Sequence, residues 1–254
     1  MQPNPTAHPT GPLANSLTDS IIHVWYLNMA DTSESEARVE ECLSAGERER
    51  AARFRSAKAR DGYVKTRGRL RNLLGAYLDR DPLEFEFAAN EYGKPRLKDT
   101  RESQGLVFNI SHSGDCAVLG FALDTALGID IEAPRRHRNL EGLAAACLAP
   151  MELEWWNRLE PERRADEFTR LWVCKEAFVK ATGRGLALGL GKVGVQPDFG
   201  GYGSIPPEYG MAGEWRLHEW VYGANRVALA YRGAERGIGV FECGDGPEFG
   251  RDAR

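Results

Sequence analysis

The stretch Leu127-Gly128-Ile129-Asp130-Ile131-Glu132 sets two carboxylates two residues apart in a β-branched run. In a strand, alternate side chains share a face, so Ile129 and Ile131 enter a core while Asp130 and Glu132 project together from the other side. Two like charges at neighbouring same-face positions repel. A hard divalent cation removes the conflict, because Mg²⁺ takes carboxylate oxygens together with water and substrate phosphates. A solvated strand face is the plain alternative for an isolated Asp-x-Glu pair. Downstream, Phe168 to Ala181 supplies a third carboxylate. There Leu171, Cys174, Phe178 and Ala181 form an apolar stripe at helical spacing, and Trp172, Glu176 and Lys180, four apart, line another face. An intrahelical Glu176–Lys180 ion pair is the competing reading.

Further groups suit an anionic ligand. Asn90 to Pro95 is a turn sequence that holds Lys94 in place, and a lysine so held suits an anion. Ser111-His112-Ser113-Gly114-Asp115 reads as a donor-rich loop between two strands, able to surround a phosphate. Arg48, Arg50, Arg53 and Arg55, followed by Arg60, Lys65, Arg67, Arg69 and Arg71, form either a solvated helix face or a phosphate-binding rim. Glu152 lies in the first turn of a helix begun by Pro150, where the helix dipole favours a carboxylate, so a structural role competes with a catalytic one.

The elements that must position these residues follow from periodicity. Residues 1–18 lack pattern and read as a disordered tail. Strands are expected at Ile21 to Leu27, Leu83 to Phe87, Leu106 to Ile110, Cys116 to Ala122 and Leu127 to Glu132. Further strands are expected at Val193 to Val195, Glu214 to Val221 and Arg226 to Tyr231, with Ile238 to Phe241 as a candidate edge strand. Helices are expected at Glu36 to Leu43, from a Ser44 cap to Arg55, from there to Asp79, at Leu140 to Leu148, from Pro150, and over the Glu176 stretch. His23 is a plain strand residue.

The chain has 254 residues, 42% hydrophobic and 28% charged, which fits a globular protein with ample core. A net charge of -4 argues against coating nucleic acid. Five cysteines without a Cys-x-x-Cys pair read as reduced thiols. No apolar run has membrane-spanning length, and the N-terminus lacks a secretory signal pattern, so a cytoplasmic protein is expected.

In this order, Tyr92-Gly93-Lys94-Pro95, Phe108-Asn109-Ile110-Ser111-His112-Ser113, Gly128 to Glu132 and Leu171 to Leu186 strongly resemble the phosphopantetheinyl transferases, specifically the group named for Sfp. The resemblance covers about residues 20 to 233 and implies an α+β fold. It implies a monomer of two similar halves related by pseudo-twofold symmetry, with coenzyme A in the cleft between them. We divide the chain accordingly into a tail (1–18), an N-terminal half (19–125), a C-terminal half with the metal site (126–233) and a second tail (234–254). The implied reaction moves 4′-phosphopantetheine from coenzyme A to a serine of an apo acyl or peptidyl carrier protein, releasing 3′,5′-ADP.

By position, Asp130, Glu132 and Glu176 resemble the family's Mg²⁺ carboxylates, with Mn²⁺ as a substitute, and Lys180 the lysine on the pyrophosphate. Glu152 matches the glutamate proposed in the family as base, in a looser motif with Leu148 and Ala149 in place of Phe and Ser. Ser111 and His112 resemble residues holding the 3′-phosphate, and Lys94 with Pro95 the loop around the adenine nucleotide. Arg50 takes a basic position of the nucleotide rim; a neighbouring basic position is Glu47 here, for which Arg48 or Arg53 compensates. Arg135, Arg136 and Arg138, with Leu140 and Leu143, are the candidate surface for an acidic carrier protein. Two rivals are a Mg²⁺-dependent phosphohydrolase acting on coenzyme A or nucleotides with the same carboxylates, and a nucleic-acid-binding module using the Arg48 to Arg71 segment. The acidic balance and the absence of interleaved aromatics oppose the latter.

Overall fold

Period-two alternation along the strands builds four layers. A computed structural model of the chain describes residue 13 and residues 16–30, 39–99, 103–134, 138–197 and 200–243. The first sheet has the order β11 (Gly237–Cys243), β1 (Ile21–Asn28), β5 (Cys116–Leu123), β4 (Leu106–Ser113). The second has the order β6 (Leu127–Glu132), β10 (Asn225–Arg232), β9 (Trp215–Tyr222), and is wholly antiparallel. Ile22, Val24 and Tyr26 of β1 meet Leu127, Ile129 and Ile131 of β6 and Val227 and Leu229 of β10 in an apolar layer between the sheets. The other face of β1, with Trp25 and Leu27, packs on the 22-residue helix α2 (Ala57–Leu78) through Leu70, Leu73, Leu74 and Tyr77. Beyond the second sheet, Ala228 and Ala230 lie beneath the helix α5 (Pro161–Ala181). The layering is helix, sheet, sheet, helix: an α+β fold of two halves, each with a long helix on the outside of its sheet.

Helix starts are written in the sequence. Ser44 caps α1 (Ala45–Ala52) in a full capping box: its Oγ accepts from the Glu47 amide and Glu47 Oε2 accepts from the Ser44 amide at 2.9 Å. Asp79, with φ of 51°, ends α2 in the left-handed region. Leu140–Cys147 forms α3 and Pro150–Asn157 forms α4. Of the helix expected at Glu36 to Leu43, residues 39–41 are helical; residues 31–38 lie outside the described chain. His23 bonds Tyr77 through Nδ1 at 2.8 Å, in a buried network with Trp25.

Several elements differ from expectation. Leu83 to Phe87 is not one strand: Pro82–Glu84 is a 3₁₀ turn and the strand β2 is Phe87–Ala89, paired with β3 (Pro95–Leu97). Asp81 caps the turn by accepting from the Leu83 amide, and Pro82 at its start suits a helical turn. Ser111-His112-Ser113 is not loop; β4 runs through Ser113, and Gly114-Asp115 alone makes the hairpin turn, with Gly114 at φ of 60°. Val195 pairs in a short ladder of β7 (Gly194–Val195) with β8 (Tyr202–Ser204). Within 234–254, read as a tail, Gly237–Cys243 is β11, parallel to β1 over seven register pairs. Within 1–18, Leu13 is buried in the core under α2.

Candidate active site

Asp130 and Glu132 share the face of β6 that also bears Gly128, and that face receives α5. A Cβ on Gly128 would lie 2.0 Å from the Ala177 carbonyl oxygen and 2.4 Å from the Ala181 amide, so only glycine lets helix and strand come this close. The approach carries Lys180, one residue before Ala181, across to the strand. Its Nζ donates to Asp130 Oδ1 at 2.6 Å and to Ser111 Oγ at 2.7 Å, and Ser111 Oγ donates to the same Oδ1 at 2.6 Å. The competing reading, an intrahelical pair of Lys180 with Glu176, gives way to this bond to the strand.

The second support comes from the neighbouring sheet. Asn109, Ser111 and Ser113 alternate along β4 and meet β6 in register. Asn109 Oδ1 accepts from the Ile129 amide at 2.8 Å, and Ser113 Oγ donates to Glu132 Oε2 at 2.9 Å and accepts from the Ala133 amide at 3.0 Å. A row of polar side chains therefore joins the two halves along the edge that bears the carboxylates. Asn109 was not among the expected site residues, and Ser113 was expected only as a phosphate donor in a loop; the period-two match of Asn109, Ser111 and Ser113 to Asp130 and Glu132 was the available signal, hidden by ending the strand at Ile110.

The charge balance at this edge is incomplete. Asp130 is 3% exposed, yet its Oδ2 is buried with no hydrogen-bond partner among the described residues. The Glu176 carboxyl is pushed up to about 7, first by burial and then by the Asp130 carboxylate, with Lys180 opposing and Glu132 adding. A buried unpartnered carboxylate oxygen beside two further carboxylates is a donor set of hard oxygens, which fits Mg²⁺ or Mn²⁺. Among the described residues no three acidic, histidine or cysteine side chains stand close enough to enclose an ion; Lys180 supplies the positive charge in this arrangement.

Comparison with known proteins decides the family. A family model for the 4′-phosphopantetheinyl transferase superfamily matches residues 126–232, and one for the N-terminal part of 4′-phosphopantetheinyl transferase matches residues 31–122. The 4′-phosphopantetheinyl transferase HetI of Nostoc sp. is 35% identical over 222 residues, covering 87% of this chain and 90% of its own. The chain belongs to the 4′-phosphopantetheinyl transferases. The 4′-phosphopantetheinyl transferase Sfp of Bacillus subtilis is 28% identical over 71% of this chain and 78% of its own. These relatives lend the phosphohydrolase alternative no support.

In this transferase several expected site residues are engaged elsewhere. Glu152 is 1% exposed and both its oxygens are occupied: Oε2 accepts from the Ala149 amide at 2.6 Å and pairs with Lys175 Nζ at 2.5 Å, and Oε1 accepts from the Val195 amide at 2.6 Å. A carboxylate so committed is the pin of the α4 N-terminus, and the structure gives it no access to a substrate proton. Its partner Lys175, which sequence reasoning passed over, is fully buried and also donates to the Leu190 and Val193 carbonyls. Burial lowers the Lys175 amine, with Glu152 pulling the other way. Lys94 Nζ likewise faces backbone, donating to the Leu127 carbonyl at 2.8 Å and the Ala181 carbonyl at 3.3 Å. Ser111 is buried in the carboxylate cluster, whereas its neighbour His112 is exposed.

The basic segment is divided. Arg71, 2% exposed, and Arg67 both pair with Glu47, at 2.7 and 3.3 Å, and Arg71 donates to the Pro82 carbonyl. Lys65 is buried and donates to the Met29 carbonyl. Glu47 thus turns part of the expected rim inward, and Arg48 bonds the Leu43 carbonyl. Arg50 and Arg53 stay exposed, Arg50 over the Tyr63 ring at 5.2 Å and Arg53 beside Glu49 at 3.9 Å. Pro95 opens β3. Arg135 and Arg136 lie outside the described residues; Arg138 is exposed ahead of α3. Among the described residues no helix is long and apolar enough to cross a membrane.

Proposed function

We propose that the protein transfers 4′-phosphopantetheine from coenzyme A to a serine of an apo acyl or peptidyl carrier protein, leaving 3′,5′-ADP, with the chemistry at the β6–α5 edge. The observation that carries this reading is the convergence of Asp130 and Lys180 from two distant stretches, with the second Asp130 oxygen buried and unpartnered beside Glu176 and Glu132. Asp130, Glu132 and Glu176 supply the carboxylate oxygens that would hold Mg²⁺, drawing closer together around it than they stand here. Bound there, the ion would neutralise charge on the diphosphate. Lys180 can turn from Asp130 to a phosphoryl oxygen and stabilise the charge that develops on the departing nucleotide.

The attacking serine hydroxyl must lose a proton. Glu152, with both oxygens already bonded within the protein, is poorly suited to accept it, so a carboxylate of the β6–α5 edge such as Glu176, acting through a water, takes that role. Ser111 holds Asp130 and Lys180 in register. His112, Arg50 and Arg53 are exposed donors suited to the nucleotide phosphates, with Pro95 against the adenine. Arg138 and the α3 surface around Leu140 and Leu143 suit an acidic helical carrier. On this reading the protein would act as a cytoplasmic monomer.

The test is incubation with coenzyme A, Mg²⁺ and a panel of apo carrier proteins, reading the prosthetic-group mass gain on the carrier. Hydrolysis of coenzyme A with every carrier left unmodified would overturn the proposal.

A further inference from the structure

One clasp joins the two halves next to the site. The turn at Asn90 to Lys94 is stiffened from within: Asn90 Oδ1 accepts from the Tyr92 and Lys94 amides at 3.0 and 2.9 Å, and the Asn90 amide donates to the Lys94 carbonyl. Its outward groups grip the end of α5 and the residues just after it and, through Lys94, the start of β6. Asn90 Nδ2 donates to the Gly183 carbonyl at 2.7 Å, and the Arg184 guanidinium lies 4.6 Å from the Tyr92 ring centroid and bonds its hydroxyl. Gly183 has φ of 75°, and a Cβ there would sit 2.8 Å from Asn90 Nδ2.

Lys94 is the centre of the clasp. Its ammonium donates to the Leu127 carbonyl, at the start of β6, and to the Ala181 carbonyl, at the end of α5. Leu127 stands three residues before Asp130, and Ala181 directly follows Lys180. A cation at a helix C-terminus is favoured by the macrodipole and satisfies a terminal carbonyl. Burial pushes the Lys94 amine down to about 8, as expected for a group turned into the protein.

We infer that Lys94 is a positioning residue for transfer: by bridging the Leu127 and Ala181 carbonyls it sets the spacing of β6 and α5, and so the meeting of Asp130 with Lys180. The inference rests on the proposed transfer reading, and it assigns the Lys94 side chain to the protein's own backbone, not to the nucleotide. Glycine at 128 permits the helix to approach; Lys94 holds it there.

The test uses Lys94→Met and Lys94→Arg in the full chain, at a temperature where each is folded, with coenzyme A and an apo acyl carrier protein. Expected for Lys94→Met is a fall in kcat of about tenfold or more with KM for coenzyme A within about twofold, and recovery of most of the rate in Lys94→Arg, whose cation can reach the same carbonyls. A tenfold rise in KM for coenzyme A with kcat retained would make Lys94 a ligand group and overturn the inference, as would unchanged kinetics. Should Lys94→Met not fold, Asn90→Ala, which removes the Gly183 contact, takes its place with the same criteria. If the wild-type chain modifies no carrier, the transfer reading itself fails. Amide exchange in β6 and the last turn of α5 then decides the clasp: about tenfold faster in Lys94→Met supports it, and no change overturns it.

Discussion

Lys175 and Lys180 leave the same helix, and each meets a carboxylate at close range, 2.5 Å to Glu152 and 2.6 Å to Asp130. The first pair is sealed: its side chains are 0% and 1% exposed, and two amides and two carbonyls complete its bonding. The second is open: Lys180 is 24% exposed, one Asp130 oxygen lacks a partner, and two more carboxylates stand nearby. A buried charge whose every bond is met by its own protein is an anchor. One left short of bonds keeps capacity for a ligand, at a cost in stability. Residue type alone would have given both glutamates, Glu152 and Glu176, the same role.

The contrast can be broken at its ends. The largest effect is expected from Glu152→Ala or Lys175→Ala, each stranding a buried charge at a cost of about 3–5 kcal/mol, measured by denaturant unfolding. A loss below about 1 kcal/mol would remove the sealed pair from its anchoring role. Next comes Asp130→Ala, expected to lower carrier modification by roughly a hundredfold or more while the melting temperature stays level or rises, since a repelling buried charge is gone. Near wild-type turnover at ordinary Mg²⁺ would dismiss the open pair as the catalytic edge.

A third effect is a pH slope. Glu176 is raised from 4.5 to about 7 by burial and the Asp130 charge, so between these values the folded chain holds a proton the unfolded chain has released. This contribution to stability is whole below about pH 4.5 and is lost as the pH climbs through about 7. Thermal melting without divalent metal should show that decline, and Mg²⁺ or Glu176→Gln should flatten it. The same slope in Glu176→Gln would assign it to another group. The smallest effect is Ser113→Ala, which removes one hydrogen bond to Glu132 and is expected to cost about 1 kcal/mol with only a modest change in rate. A collapse of activity there would move the site's centre toward Glu132.

What the chain discloses on inspection is what depends on period. Two-residue alternation in β6 put Asp130 and Glu132 on one face, and 3.6-residue recurrence gave the buried stripe Leu171, Cys174, Phe178 and Ala181 of α5. What it conceals depends on who lies opposite. Arg71 and Lys65 look like a solvated or phosphate-binding face, yet Glu47 and the Met29 carbonyl draw them inward. Ser111 and Ser113 look like a hairpin loop because the actual turn needs only Gly114 and Asp115. Glu152 fits a sequence motif, but Lys175 and the Val195 amide, distant along the chain, settle its place.

The strand β11 has a consequence for synthesis. The first sheet takes an edge strand from Gly237–Cys243, while the residues of its other three strands have all been made by Leu123. During translation the early half must therefore wait, with one flank of β1 unpaired, until the second half has emerged. Cutting the gene between the halves would yield an N-terminal fragment prone to self-association, unless the Gly237–Cys243 segment were supplied to it.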